Sequence, residues 1–203
     1  MDNSINQEPK NNIWGLNLRR DVALFVWETV KIILISLAII LPIRYYLVQP
    51  FFVKGQSMED NFQDGDYLVV DEIGYRLHSP KRGDVVIFHY PGDPSQFYIK
   101  RIIGLPGETV KIENNQVVIY NEQYKEGLIL KEDYLADYQR TDHGLRMQVG
   151  ANEFFVLGDN RLQSSDSRYW GAVPKKLIVG RALLRLWPLD KIIKVPGVNY
   201  ISN

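Results

Sequence analysis

Residues 109–120 read TVKIENNQVVIY, and this stretch decides the fold. Two runs rich in β-branched residues, Thr109–Glu113 and Gln116–Tyr120, flank the pair Asn114-Asn115. Runs of this kind are typical of strands, and asparagine is favoured in the tight turns that join them. The stretch therefore predicts a β-hairpin.

Further strand signals lie on both sides of this hairpin. They are β-branched and aromatic runs bounded by glycines, at residues 67–70, 84–88, 153–157 and 177–184. No helical pattern alternates with them, so we predict a mainly β domain, an antiparallel β-barrel or sandwich. Residues 121–148 are charged, carry tyrosine-rich patches and show no clear period, and we interpret them as an insertion or excursion from the sheet.

The N-terminal quarter has a different composition. Residues 1–20 predict a polar tail, residues 21–48 a transmembrane anchor helix, and residues 49–203 the β domain. The uninterrupted apolar centre, Ile32–Ile43, is shorter than the roughly 20 residues that a spanning helix needs. The span can extend past Lys31, because the charged end of this long side chain can reach the membrane–water interface. A cleaved signal peptide fits poorly, since no small-x-small site follows the apolar run, but a helix lying on a surface stays open.

Basic residues precede the predicted span and indicate its orientation. Lys10, Arg19 and Arg20 lie before most of the apolar run. Because positive charges stay on the cytoplasmic side, we predict the N-terminus inside and the β domain outside.

Composition excludes several classes of function. Lys+Arg and Asp+Glu are 24 each, so no charge excess points to nucleic acid. The absence of cysteine excludes disulfides, thiolate metal sites and a cysteine nucleophile. Three scattered histidines show no metal-ligand spacing, and no phosphate-binding loop is present. We therefore expect no metal and no cofactor.

Three distant blocks carry the candidate chemistry: Gly55–Met58, Tyr98–Gly107 and Gly158–Arg168. The first contains Ser57, the second contains Lys100, and the third is a loop dense in hydrogen-bonding groups. A serine is a poor nucleophile until a base takes its proton, and a desolvated lysine amine can be that base. Taken singly, the serine is an ordinary turn residue and the lysine an ordinary member of a salt bridge.

The neighbours of Lys100 make it the more distinctive candidate. Alternation along a strand places Tyr98, Lys100 and Ile102 on one face. Burial among such neighbours disfavours the ammonium form and lowers the pKa of the amine.

Together the three blocks resemble those of the bacterial type I signal peptidases, which are membrane-bound serine proteases with a Ser-Lys dyad. The resemblance runs from about residue 48 to residue 188, and the third block is its most specific part. It implies that Ser57 is the nucleophile and Lys100 the general base.

The resemblance also implies a supporting set of residues around this dyad. Ser164 corresponds to a serine that hydrogen-bonds the lysine amine and holds it toward the nucleophile. Asp166 and Arg168 correspond to a structural ion pair, and Asp159 is placed to pair with Arg101.

The serine block departs from the family pattern at two points. The family commonly has Ser-Met-x-Pro-Thr, whereas this chain has Asp60-Asn61 in place of Pro-Thr. Some members add an oxyanion-binding hydroxyl two residues before the nucleophile, where this chain has Gly55. The Ser57 N–H is then the natural first oxyanion donor, and the second donor stays open.

These observations predict a membrane-anchored endopeptidase that removes signal peptides from exported preproteins by an acyl-enzyme mechanism. It acts as a monomer at the outer face of the cytoplasmic membrane, and its partners are preproteins and the lipid bilayer. Two alternatives stay open: a self-cleaving Ser-Lys protease of the repressor type, and a non-catalytic membrane-anchored β domain.

Overall fold

The computed structural model describes residues 13–42, 48–189, 192–195, 198 and 200. The chain divides into two compact units, Met1–Arg44 and Tyr45–Asn203. The part of the expected polar tail up to residue 12 lies outside the described residues, as do residues 43–47 of the expected anchor.

The first unit is built on one long helix, α1, which covers Ile13–Pro42. Within it, Leu18–Leu41 is a 24-residue segment, and an 18-residue window of it has a mean hydropathy of 2.3, so the segment is long and apolar enough to cross a membrane. The charged interruptions do not break the helix, because Glu28 and Lys31 lie one turn apart and pair at 2.7 Å. None of this span is buried, unlike the core helix of a soluble domain.

The second unit contains a large antiparallel sheet of eight strands. Its strands are β1 Val48–Phe52, β2 Tyr67–Asp71, β3 Val85–Tyr90, β4 Asp93–Gly104, β9 Glu153–Leu157, β10 Val173–Pro174, β11 Ile178–Trp187 and β12 Ile193–Lys194. Their order is β1-β2-β11-β3-β4-β9-β10, and β12 pairs with β11. The strand runs recognised in the sequence at residues 67–70, 84–88, 153–157 and 177–184 all fall on these strands.

A second antiparallel sheet is built around the hairpin at residues 109–120. Its strands are β5 Thr109–Glu113, β6 Gln116–Tyr120, β7 Leu128–Ile129 and β8 Leu145–Gln148, in the order β7-β6-β5-β8. Asn114 and Asn115 have φ values of 52° and 61°, the left-handed backbone that a two-residue hairpin turn requires. The predicted hairpin is therefore confirmed. β7 and β8 lie within residues 121–148. The chain leaves the second sheet after β7 and rejoins it at β8, so the residues between these strands form an excursion from the sheet.

Short helices complete the second unit: α2 Gly74–Leu77, α3 Ser167–Trp170, and 3₁₀ turns at Arg161–Gln163 and Lys175–Leu177. The fold is mainly β and antiparallel, as predicted, and its described strands form a sandwich-like arrangement rather than a closed barrel.

Two hydrophobic clusters bracket the strand that carries Lys100. One joins both sheets through Ile103, Val110 and Phe155. The other includes Met58, Leu68 and Ile99. Ile99 and Ile103 of β4 thus enter different packed clusters, which fixes the strand that holds the candidate base.

Candidate active site

Ser57 lies on the turn that follows β1. The next residue, Met58, is fully buried, and its carbonyl accepts the N–H of Phe62 at 2.8 Å. Burying a methionine side chain contributes about 1.5–3 kcal/mol, so Met58 anchors the turn to the core. Ser57 itself is only partly buried. The sequence Ser-Met therefore places an accessible hydroxyl directly beside a fixed point of the fold.

Lys100 lies on β4, where Val86 of β3 is its antiparallel partner. Its side chain is 3% exposed. Nζ lies 2.6 Å from Ser57 Oγ and 2.9 Å from the carbonyl oxygen of Ile99. The fold therefore brings together two side chains that are 43 positions apart in the sequence.

The surroundings of Lys100 lower the pKa of its amine. Burial disfavours the ammonium and lowers the pKa to about 8, although the negative charges of Asp166 and Asp159 oppose this shift. A neutral amine at 2.6 Å can accept the proton of the Ser57 hydroxyl. The pair has the geometry of a nucleophile and its general base.

Next to Lys100, Arg101 turns to the other face of the strand and binds Asp159. Arg101 Nε donates to Oδ1 at 2.8 Å and Nη2 to Oδ2 at 2.6 Å, and both side chains are buried. The ring of Tyr134 lies 4.2 Å from the guanidinium carbon. Asn61, four residues after Ser57, donates to Asp159 Oδ2 at 2.9 Å. The expected Arg101–Asp159 pair thus ties β4 and the serine turn to the loop 158–168.

The other expected ion pair, Asp166 with Arg168, holds that loop in shape. Arg168 donates from Nε and Nη2 to the two carboxylate oxygens at 2.8 and 2.9 Å. Asp166 Oδ2 also accepts the N–H of Gly158 at 3.1 Å. The N–H of Asn160 donates to the carbonyl of Ser57 at 3.1 Å. The loop therefore contacts the nucleophile's own backbone.

Ser164 differs from its expected contacts. Its Oγ is buried and has no hydrogen-bond partner in the part of the chain that the structure describes, so the expected bond to Lys100 is not formed. The Lys100 amine instead contacts Ser57 and the Ile99 carbonyl. Ser164 packs against Gly158, where an added Cβ would come within 2.2 Å of Ser164 Oγ and 2.3 Å of the Ser57 carbonyl. Glycine at 158 is what lets the loop approach both serines.

Sequence reasoning missed the buried Arg161 and its partners. Arg161 binds both carboxylate oxygens of Glu132, at 2.8 and 2.5 Å, and Nη2 also donates to the Tyr134 hydroxyl at 3.0 Å. Its Nε donates to the Gly158 carbonyl at 3.0 Å. The charged excursion 121–148 is therefore connected to the site loop. Arg161 stood inside the third block, but nothing in the sequence pointed to Glu132 as its partner.

Ser57 and Lys100 open onto a cavity of about 660 Å³. The cavity wall consists of two chain segments, residues 51–57 and 96–100, with Leu68, Ile87, Gln163 and Ser165. Among the described residues, no group of three or more His, Asp or Glu side chains is placed to hold a metal ion. The cavity wall carries the Ser57 hydroxyl and the Lys100 amine side by side.

Residues 26–187 match the family model described as signal peptidase, peptidase S26. A probable signal peptidase I-1 from a Synechocystis species is 33% identical, over 82% of this chain and 85% of its own length. The signal peptidase I of Leptolyngbya laminosa is 37% identical, over 81% of both chains. A crystal structure of a signal peptidase I from Enterococcus faecalis is 32% identical, with a TM-score of 0.43 over 51% of this chain and 97% of its own.

The chain belongs to the signal peptidase I family. The resemblance recognised in the three sequence blocks is thereby confirmed, and the protein is a serine endopeptidase. Within this signal peptidase fold, Ser57 and Lys100 are the hydroxyl and the buried amine that meet at the cavity.

Proposed function

We propose that this protein is a membrane-anchored signal peptidase that cleaves preproteins with a Ser57–Lys100 dyad. The observation that carries the proposal is the 2.6 Å contact between a buried lysine amine and a serine hydroxyl at the wall of a large cavity. No histidine or carboxylate contacts the Ser57 hydroxyl among the described residues, so the amine is the base that the geometry offers.

The reaction proceeds by acyl transfer. Ser57 Oγ attacks the carbonyl carbon of the scissile peptide bond while Lys100 Nζ takes the hydroxyl proton. The tetrahedral intermediate collapses, the C–N bond breaks, and the Lys100 ammonium returns that proton to the leaving amine. Water then attacks the Ser57 ester with Lys100 again as base, which releases the signal peptide as a carboxylic acid and restores the serine.

The lowered pKa is what makes this base effective near neutral pH. With a pKa of about 8, roughly a tenth of the Lys100 side chains are unprotonated at pH 7. An ordinary lysine would be unprotonated in fewer than about one in a thousand molecules.

The Ser57 N–H is placed to stabilise the oxyanion. It makes no hydrogen bond within the described part of the chain, and it belongs to the nucleophile itself. The N–H of Gly55 is not free to serve as the second donor, because it donates to Asp64 Oδ1 at 2.7 Å.

An extended substrate fits the cavity wall. Residues 97–100 of β4 pair with β3 on one side, whereas pairing with β9 begins only at Arg101. Their other edge therefore offers unpaired backbone groups to an incoming strand. In an extended substrate, the first and third residues before the cut point the same way, which is compatible with the family preference for small residues there.

The membrane arrangement follows from the span Leu18–Leu41. We assign residues 1–20 to the cytoplasmic side, the anchor to the bilayer, and residues 49–203 to the outer side as the catalytic domain. Basic Arg19 and Arg20 at the start of the span support this orientation.

The test is cleavage of a purified preprotein by the detergent-solubilised full-length protein, with sequencing of the new N-terminus. The wild type should release one mature product, whereas Ser57→Ala and Lys100→Ala should release none. Ser79→Ala, an exposed serine outside the cavity, is the matched control and should cleave at the wild-type rate. Cleavage of the protein itself but not of preprotein would favour a repressor-type protease. No cleavage by folded wild type would favour a non-catalytic domain.

A further inference from the structure

Lys54 lies on the wall of the cavity that contains Ser57 and Lys100. Lys54 and Lys100 are the two charged side chains among the described residues that line it, and no carboxylate does so. Lys100 is engaged with Ser57. The cavity wall therefore carries one positive charge that the proposed reaction does not use.

The backbone on both sides of Lys54 is held in place. The N–H of Val53 donates to the Asp66 carbonyl at 2.9 Å, and the N–H of Gly55 donates to Asp64 Oδ1 at 2.7 Å. Val53 is buried, whereas Lys54 is exposed. No ion pair within the described part of the chain includes Lys54. The fold thus fixes the backbone from which the Lys54 side chain extends at the cavity wall.

Lys54 can reach substrate residues close to the scissile bond. It is three positions from Ser57 in the sequence, so their Cα atoms are at most about 10 Å apart. An extended substrate advances about 3.3 Å per residue, so side chains within about three residues of the scissile bond lie in range. The other polar side chains of the wall outside the dyad are neutral, namely those of Gln56, Gln96, Tyr98, Gln163 and Ser165. Lys54 is therefore the group that distinguishes an acidic substrate side chain from its amide.

We propose that Lys54 is a specificity-determining residue that favours preproteins with Asp or Glu within three residues of the cleaved bond. This inference rests on the proposed function of the same site. Ion pairs of exposed side chains are weak, so the expected preference is about twofold to fivefold. It should shrink in 1 M salt, where charges are screened beyond about 3 Å.

The test uses one preprotein that the wild type cleaves, with Glu or Gln placed in turn at each of the three positions on either side of the cut. The full-length protein in neutral detergent is assayed for kcat/KM on each Glu and Gln pair. For the wild type, the Glu/Gln ratio should exceed about two at one or more positions. Lys54→Glu should bring that ratio below one, and Lys54→Gln should bring it close to one.

Lys125→Glu is the matched control, because it makes the same charge change at an exposed lysine outside the cavity. It should keep the wild-type ratio. If the Glu/Gln ratios of the wild type and of both Lys54 variants agree at all six positions, the inference is overturned while the proposed function stands. If no preprotein that the wild type cleaves is found, the proposed function fails and this inference falls with it.

Discussion

Lys100 is 3% exposed, and its pKa is lowered to about 8 because burial disfavours the ammonium. Asp166 and Asp159 raise it again in part, and Asp159 is itself neutralised by Arg101. The loop 158–168 thus affects the base in two ways. The carboxylates of Asp159 and Asp166 raise the pKa of Lys100 in part. The ion pairs of these carboxylates with Arg101 and Arg168 weaken that effect.

The first prediction concerns pH. Only the neutral amine accepts a proton, so cleavage should rise with pH along a limb whose apparent pKa is near 8, well below the ordinary lysine value of 10.5. The measurement is kcat/KM between pH 6 and pH 10, which reports the free enzyme. Lys100→Arg should be as inactive as Lys100→Ala, because a guanidinium does not deprotonate in proteins. Near-normal cleavage by the arginine variant would show that Lys100 acts only as a positive charge and not as the general base.

The turn after Ser57 is an element that this chain builds in its own way. Asp60 has a φ of 82°, a left-handed conformation that aspartate tolerates and proline cannot adopt. Its two carboxylate oxygens accept the Tyr138 hydroxyl at 2.6 Å. Asn61, where the family commonly has threonine, binds Asp159 and the Tyr134 carbonyl. In this chain, side-chain contacts with residues 121–148 thus hold the turn in place, a role that the fixed φ of a proline would otherwise fill.

The second prediction follows from that φ value. Asp60→Pro should lower kcat at least about tenfold, although it installs the family residue, because the ring forces φ near −65° and displaces the turn beside Ser57. Asp60→Gly keeps access to positive φ and loses only the contacts of the carboxylate with Tyr138 and Gln139, so its loss should be about threefold or less. Steady-state kinetics of the two variants show whether activity depends on the backbone conformation at residue 60 or on the side-chain contacts of Asp60. Full activity of the proline variant would show that the turn does not need this backbone.

The third prediction concerns the connection between the excursion and the site loop. Glu132→Ala leaves the fully buried Arg161 guanidinium without its carboxylate, and breaking such a pair costs about 3–5 kcal/mol. Urea unfolding should show this loss in the free energy of unfolding. Its neighbour Asp133 pairs with Lys131 at the surface, with both side chains more than half exposed, so Asp133→Ala should cost less than about 1 kcal/mol. Equal losses in the two variants would mean that Arg161 finds other partners.

Elements with a local signal could be predicted, and contacts between distant elements could not. The 109–120 hairpin was readable because alternation and turn residues are local properties of the sequence. The dyad residues could be predicted only from the resemblance of three blocks to a known family, since Ser57 and Lys100 are 43 positions apart. Nothing local identifies Glu132 as the partner of Arg161. Residues 121–148 show no regular period, so the sequence did not reveal the Glu132–Arg161 ion pair that connects them to the site loop.

At the scale of the whole molecule, the predicted anchor and the candidate site belong to different units of the chain. Every residue of the candidate site belongs to the unit Tyr45–Asn203, whereas the span Leu18–Leu41 belongs to the other unit. The sequence indicated this separation through a change in composition. The uninterrupted apolar run Ile32–Ile43 is too short for a span by itself, but the paired Glu28 and Lys31 allow the helix to continue through them.

The last prediction concerns topology. A signal peptide is cleaved after its preprotein has crossed the bilayer, so Ser57 should face the outside. Arg19 and Arg20 at the beginning of the span should hold the N-terminus in the cytoplasm, because basic flanks resist translocation. Tags at the two ends, followed by protease treatment of intact cells stripped of any outer wall, should lose the C-terminal tag and keep the N-terminal one. Lysed cells are the control, in which both tags should disappear. A C-terminal tag that survives in intact cells but not in lysed ones would place the catalytic domain inside and refute the proposed arrangement.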